Sequence, residues 1–192
     1  MATKVLLEPD KYYHVFNHTI GDEKLFRSDN DYSEFIVRYI QHVIPVAETI
    51  AYCLMSNHFH FCIKIKGIDE LFKKSTRVKL ELVESIIYRS LSHFLNGYVQ
   101  KYNHRYSRMG SLFVGNFKRK PMNTDDDLRR LICYIHNNPV EAKLVPSPDK
   151  WLYSSYLDYF TENSAPKIPL DVPEIIRVFN DLENFKILHT HP

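Results

Sequence analysis

The chain has 192 residues, 44% hydrophobic and 25% charged, the composition of an ordinary globular protein large enough for one sizeable core. No apolar run reaches the roughly 18 residues of a membrane-spanning helix, and the N-terminal segment MATKVLLEPDKYYHV lacks the apolar stretch and cleavage site of a secretory signal. The formal net charge is only +2, but the segment from Ser85 to Thr124 holds none of the 23 Asp and Glu residues. It does hold Arg89, Lys101, Arg105, Arg108, Lys118, Arg119 and Lys120, interleaved with Tyr98, Tyr102, Tyr106, Phe113 and Phe117. Concentrated positive charge attracts polyanions, and aromatic faces stack on unpaired bases, so this window is expected to bind nucleic acid rather than to be a merely solvated basic face. Cys53, Cys62 and Cys133 sit in apolar segments without CxxC spacing. They are expected to be reduced core thiols of a cytoplasmic protein.

In chain order, residues 11–20 (KYYHVFNHTI) read as a β-branched and aromatic strand. Apolar positions 32, 35, 36, 39, 40 and 43 then repeat with helical spacing, behind capping candidates at Ser28 to Asp31. Residues 46–55 and 58–66 read as two strands joined at Ser56-Asn57, and a long helix follows with Val83, Ile87, Leu91, Phe94 and Tyr98 on one stripe. Residues 111–120 (SLFVGNFKRK) predict a fourth strand with a basic end. A helix then opens on Thr124, with acidic residues in its first turn where they suit the helix dipole. Pro139 predicts an end or kink of that helix near Asn138.

The order β-α-β-β-α-β predicts a ferredoxin-like α+β sheet, with an additional C-terminal helix bearing Tyr134 and a helical tail. The expected organisation is one domain over residues 1–160. Residues 161–171 (TENSAPKIPLD) would be a linker, and a short helix over about 172–185 would pack on or beside the domain.

Two features carry chemistry. In MSNHFHF, His58 and His60 alternate to one face of a strand, about 6–7 Å apart along it, where two imidazoles converge on one metal ion. Alone, the pair reads more readily as surface or hydrogen-bonded histidines on a half-buried strand. On the Thr124 helix, Arg130, Tyr134 and Asn138 form an i, i+4, i+8 row beside the apolar stripe Leu128, Leu131, Ile132 and Ile135. That row offers a nucleophile and an amide ligand together, although spacing alone also allows a plain helix-flank aromatic.

The segments YCLMSNHFHFCIKI, KYNHRYSRMGSLFVGNFKRKPM, LICYIHNNPVEAKLV and WLYSSYLDY, in this order between about Tyr13 and Tyr159, resemble the single-tyrosine HUH transposases, in particular the REP-associated tyrosine transposases. The resemblance implies that residues 1–160 form a catalytic domain in which His58 and His60 bind a divalent metal, Mg²⁺ or Mn²⁺. It implies Tyr134 as the nucleophile and Asn138 as the third ligand. Asn137 stands where relatives usually carry an apolar residue, and the one-turn spacing from Tyr134 favours Asn138 over it.

The implied reaction is nicking and rejoining of single-stranded DNA, near a hairpin, through a 5′-phosphotyrosine that keeps the bond energy for strand transfer. Metal-polarised phosphate and an activated phenol fit that chemistry, since a phenol with an ordinary pKa near 10 is a poor nucleophile. Lys118, Arg119 and Lys120, with Arg105, Arg108 and Arg130, are the expected DNA contacts. Relatives include dimers and monomers, which leaves a homodimer open; no membrane association is expected. The rival reading is a non-catalytic DNA-binding or regulatory protein on the same scaffold. A zinc-dependent hydrolase would need a carboxylate base near His58 that the local sequence lacks.

Overall fold

The computed structural model describes residues 5–72, 79–160 and 167–190. Its elements are β1 (Tyr12–His18), α1 (Asp29–His42), β2 (Ala47–Met55), β3 (His58–Ile65), α2 (Ile68–Phe72), α3 (Leu80–Arg105), β4 (Lys118–Met122), α4 (Asp125–Glu141), α5 (Val172–Phe179) and α6 (Leu182–Thr190). The four strands form one antiparallel sheet in the order β2-β3-β1-β4. This is the expected α+β arrangement, with β3 and β1 in the centre.

Strand alternation gives the sheet two unlike faces. One carries Tyr13, Val15, Phe59, Phe61 and Ile63, and it closes against Phe35 and Tyr39 of α1 and Phe94 and Tyr98 of α3. The other carries Ala51, Cys53, Met55 and Cys62, and it closes against Leu128, Leu131, Ile132 and Ile135 of α4 and against Phe179 and Phe185 of the tail. Each of these two faces is a dense apolar layer, so α4 is held by burial of its stripe. Thr124 caps α4 as the sequence suggests, accepting from the Asp127 N–H at 3.1 Å.

The structure corrects several sequence expectations. The fourth strand is Lys118–Met122, not 111–120. Gly115, at φ 66°, turns the chain, and only Phe113 makes an isolated bridge, to Thr19. Pro121 is tolerated in β4 because β4 is an edge strand and needs no N–H for an outer neighbour. Nor does α4 stop at Asn138: it runs to Glu141 with Pro139 inside it. Pro139 lacks only its own N–H, and the turn continues through Ala142 N–H to Asn138 O at 3.0 Å and Leu144 N–H to Pro139 O at 2.9 Å.

The tail holds two helices instead of one, divided at Asn180, whose φ of 70° an asparagine tolerates better than most residues. Of the expected linker, residues 161–166 lie outside the described residues. Ile168 is fully buried, and the Asp171 N–H donates to Thr49 O at 2.9 Å, so the described part packs on the fold. Among the described residues no helix is long and apolar enough to cross a membrane.

Ile132 is the fully buried centre of the α4 stripe. Ile132→Ala should lower unfolding free energy by about 2–5 kcal/mol in urea titration, the cost of a cavity that the sheet cannot collapse into.

Candidate functional site

β3 delivers His58 and His60 to the face covered by α4, paired in register with His18 and Phe16 of β1 and with Met55 and Cys53 of β2. The apolar stripe of α4 seats on that face, which brings the next row of the helix over the histidines. Asn138 Oδ1 lies 2.9 Å from His58 Nε2. One turn earlier, Tyr134 stands edge-on to His60, with ring centroids 5.3 Å apart, and is 40% exposed. His58, His60, Tyr134 and Asn138, 80 residues apart in sequence at the widest, are therefore brought together.

An open cleft of about 420 Å³ runs past this group, lined by His14, His60, Lys120, Asp127, Arg130 and Tyr134 among others. Burial, followed by its neighbours His14 and His58, lowers the pKa of His60 to about 3. Burial likewise lowers His58, against the opposing hydrogen bond to Asn138. Burial and then Lys120 bring His14 down to about 4. All three imidazoles are thus neutral at ordinary pH, the form in which histidine offers a lone pair to a metal.

The donor set fits a divalent ion. His58 Nδ1 faces Asn57 Oδ1 at 2.7 Å and His58 Nε2 faces Asn138 Oδ1 at 2.9 Å. A neutral imidazole has one N–H and satisfies one of those oxygens. With the proton on Nδ1, the Nε2 lone pair meets the Asn138 oxygen, and two ligands at right angles, each about 2.1 Å from one ion, lie about 3.0 Å apart. The rings of His58 and His60, 5.1 Å between centroids, suit a shared ion as well. Among the described residues no group of three or more His, Cys, Asp or Glu is arranged to hold a metal, so the set at hand is two imidazoles and a carboxamide.

The expected basic contacts divide. Lys118 and Lys120 alternate to the histidine face, opposite Phe16 and His14 in register. Lys118 Nζ lies 5.9 Å from the Phe16 ring centroid. Arg130 is exposed at the cleft, 4.0 Å from Asp127. The other three do not line the cleft. Arg119 points to the opposite face, where it is 8% exposed and bonded to Glu84 and Val5 O. Arg105 pairs with Asp31, and Arg108 pairs with Glu23 at 2.9 Å. Tyr98, Tyr102, Phe113 and Phe117 are buried in the core or against it, which corrects the expectation that they stack on bases.

His14 escaped the sequence reading. Its Nε2 lies 2.9 Å from His60 Nδ1, and its ring stacks on Phe16 at 4.4 Å. Two-residue alternation within β1 was visible in the sequence, but the register that brings β1 beside β3 was not.

No family model and no curated protein matches the chain. Among solved structures it is similar to a REP-associated tyrosine transposase bound to a REP hairpin, with a TM-score of 0.58 and 15% identity over 90% of this chain and 92% of that one. The chain shares that fold. Two bacterial tRNA(His) guanylyltransferase (Thg1)-like proteins, in complex with GTP and with ATP, overlay at a TM-score of 0.43 with 10% and 13% identity. They cover 73% and 71% of this chain, and an overlay that loose says nothing about its chemistry.

Arg105 and Tyr106 converge on the buried Asp31 carboxylate, which also accepts from the Arg27 and Ser28 N–H groups at 2.8 and 3.1 Å. Burial alone would raise this carboxyl, but the hydrogen bonds outweigh it and hold its pKa below the ordinary 3.8. Its stabilising contribution is therefore complete above that value and fades as pH falls through the lower folded one. Asp31→Asn should cost about 1–3 kcal/mol at pH 7 by urea titration, and the gap to the unsubstituted protein should shrink below about pH 4.

Proposed function

We propose that the chain is a metal-dependent enzyme that nicks single-stranded, hairpin-containing DNA and rejoins it through Tyr134. The observation that carries this reading is the meeting of α4 and β3: a half-exposed tyrosine one turn from an amide whose oxygen lies 2.9 Å from His58. The resemblance of the motifs to single-tyrosine HUH transposases supports it, and so does the fold shared with a transposase bound to a hairpin.

His58, His60 and Asn138 would hold the divalent ion, Mg²⁺ or Mn²⁺. When bound, it supplies polarisation of a phosphate oxygen and stabilises charge developing at phosphorus. The rest is the work of the chain. Lys120 and Arg130 line the cleft with Tyr134, where their charge draws the phosphate in. Tyr134 Oη attacks phosphorus in line with the 3′-oxygen, and its phenolic proton passes to solvent at the open cleft. The new O–P bond forms as the P–O3′ bond breaks, and the departing oxygen takes up a proton as a free 3′-hydroxyl. Attack by a 3′-hydroxyl on the phosphotyrosine reverses these changes and joins strands. Tyr134 lines the cleft, whereas Tyr102 is buried and Tyr106 donates to Asp31 at 2.7 Å.

Incubation with labelled single-stranded hairpins and Mn²⁺ should give a protein–DNA adduct that survives denaturation. Mass spectrometry should find it on the peptide containing Tyr134, with a free 3′-hydroxyl on the released strand. Tyr134→Phe should retain the fold and lose the adduct; a robust adduct in that variant, or a 3′-linkage, overturns the reading.

Lys118→Glu combined with Lys120→Glu should weaken single-strand binding and reduce the slope of log K against log salt by about 1–2 units, at roughly 0.7 per lost phosphate contact. Arg105→Ala, whose charge is spent on Asp31, should leave that slope unchanged.

A further inference from the structure

The polar groups that face the histidine pair include one imidazole to which the proposed reaction assigns nothing. His14 sits in the central strand β1, in register opposite Cys62 of β3 and Lys120 of β4, and is 8% exposed. Its ring stacks on Phe16, 4.4 Å by centroid at 23° between planes, and meets the His60 ring nearly edge to edge, 5.1 Å by centroid at 28°. Stacked in this way it has little freedom to rotate. Its Nε2 approaches His60 Nδ1 at 2.9 Å.

We propose that His14 is a positioning residue: its Nε2 accepts the Nδ1–H of His60 and so locks His60 in the tautomer and ring orientation that present Nε2 as a lone pair to the cleft. The inference rests on the reading of His58 and His60 as metal ligands. Its logic is one of proton count. Two neutral imidazoles share one hydrogen bond, and one of the two supplies the proton. If His14 donated from Nε2, the acceptor Nδ1 would leave His60 with its proton on Nε2, the nitrogen left for the ion. With the donor reversed, His60 Nε2 is free and His14 carries its own proton on Nδ1. A buried partner on the other nitrogen is the usual means of fixing a ligand histidine, and losing one weakens metal binding by about 10- to 100-fold.

The test uses the full chain. In metal-free protein with ¹⁵N-labelled histidine, long-range proton–nitrogen correlation should show His60 as the Nδ1–H tautomer; an Nε2–H tautomer overturns the proposal without any variant. Calorimetric titration with Mn²⁺ gives the second arm. His14→Phe keeps a stacking ring and removes the acceptor, so affinity should fall by about 10- to 100-fold, with His60 shifting toward the mixed tautomers of a free imidazole. His14→Gln, whose side-chain oxygen reaches the position of Nε2, should recover most of the affinity. Equal Mn²⁺ affinity in His14→Phe and the unsubstituted chain overturns the proposal. Absence of Mn²⁺ uptake by the unsubstituted chain overturns the reading of the site as a metal centre, while the His60 tautomer still decides the role of His14.

Discussion

The seat of α4 on the sheet sets the position of every other part of the cleft. Ile132 and Ile135 are fully buried against Cys53, Cys62 and Met55, and each such side chain contributes about 1.5–3 kcal/mol. Even a full hydrogen bond between His58 and Asn138 would be worth only about 0.5–1.5 kcal/mol net. Packing therefore decides where the helix lies, and the polar contact follows from it. A one-residue change in the face presented would rotate the row by about 100° and carry Tyr134 and Asn138 off the histidines together.

The back of the helix is fixed separately. His136 is fully buried, bonded to His189 of α6 at 2.8 Å and to Ser155 Oγ at 2.7 Å, and Asn137 Nδ2 donates to the Cys133 and His189 carbonyls. Burial pushes both His136 and His189 well below the ordinary imidazole value, so the pair is joined as neutral rings. Asn137 is thereby turned to the tail, and Asn138 is the amide that faces His58. With sheet on one side and tail on another, the tyrosine face is the one left open.

Local periodicity made the main pieces legible. The alternation in His58-Phe59-His60 and the one-turn step from Tyr134 to Asn138 depend only on the geometry of a strand and of a helix. The same alternation divides Lys118 and Lys120 from Arg119, yet a count of charges along the chain merges them. The acid-free window misled for a different reason: the carboxylates that occupy it, Asp31 for Arg105 and Glu23 for Arg108, lie 74 and 85 residues away in sequence. Net charge within a segment says nothing of partners that fold onto it. The irregular path at Ser111–Phe117 hid similarly, because one glycine at positive φ outweighs a run of strand-prone residues.

Burying three imidazoles on one sheet face is costly unless each has a partner and stays uncharged. His14 and His60 partner one another, and His58 lies between two amide oxygens. The result is a cluster poor in charge at its floor, beneath a cleft whose rim carries Lys120 from β4 and Arg130 from α4. A neutral floor competes weakly for those cations, and Arg130, with 77% of its side chain exposed, has among the described residues only a distant ion-pair partner in Asp127, at 4.0 Å. Positive charge at the rim thus stays available to an incoming anion, whereas the arginines on the far face are consumed by carboxylates. The two faces of one short strand separate these tasks: Arg119 braces the edge of the core, while Lys118 and Lys120 on either side of it turn to the histidine face, Lys120 at the cleft itself.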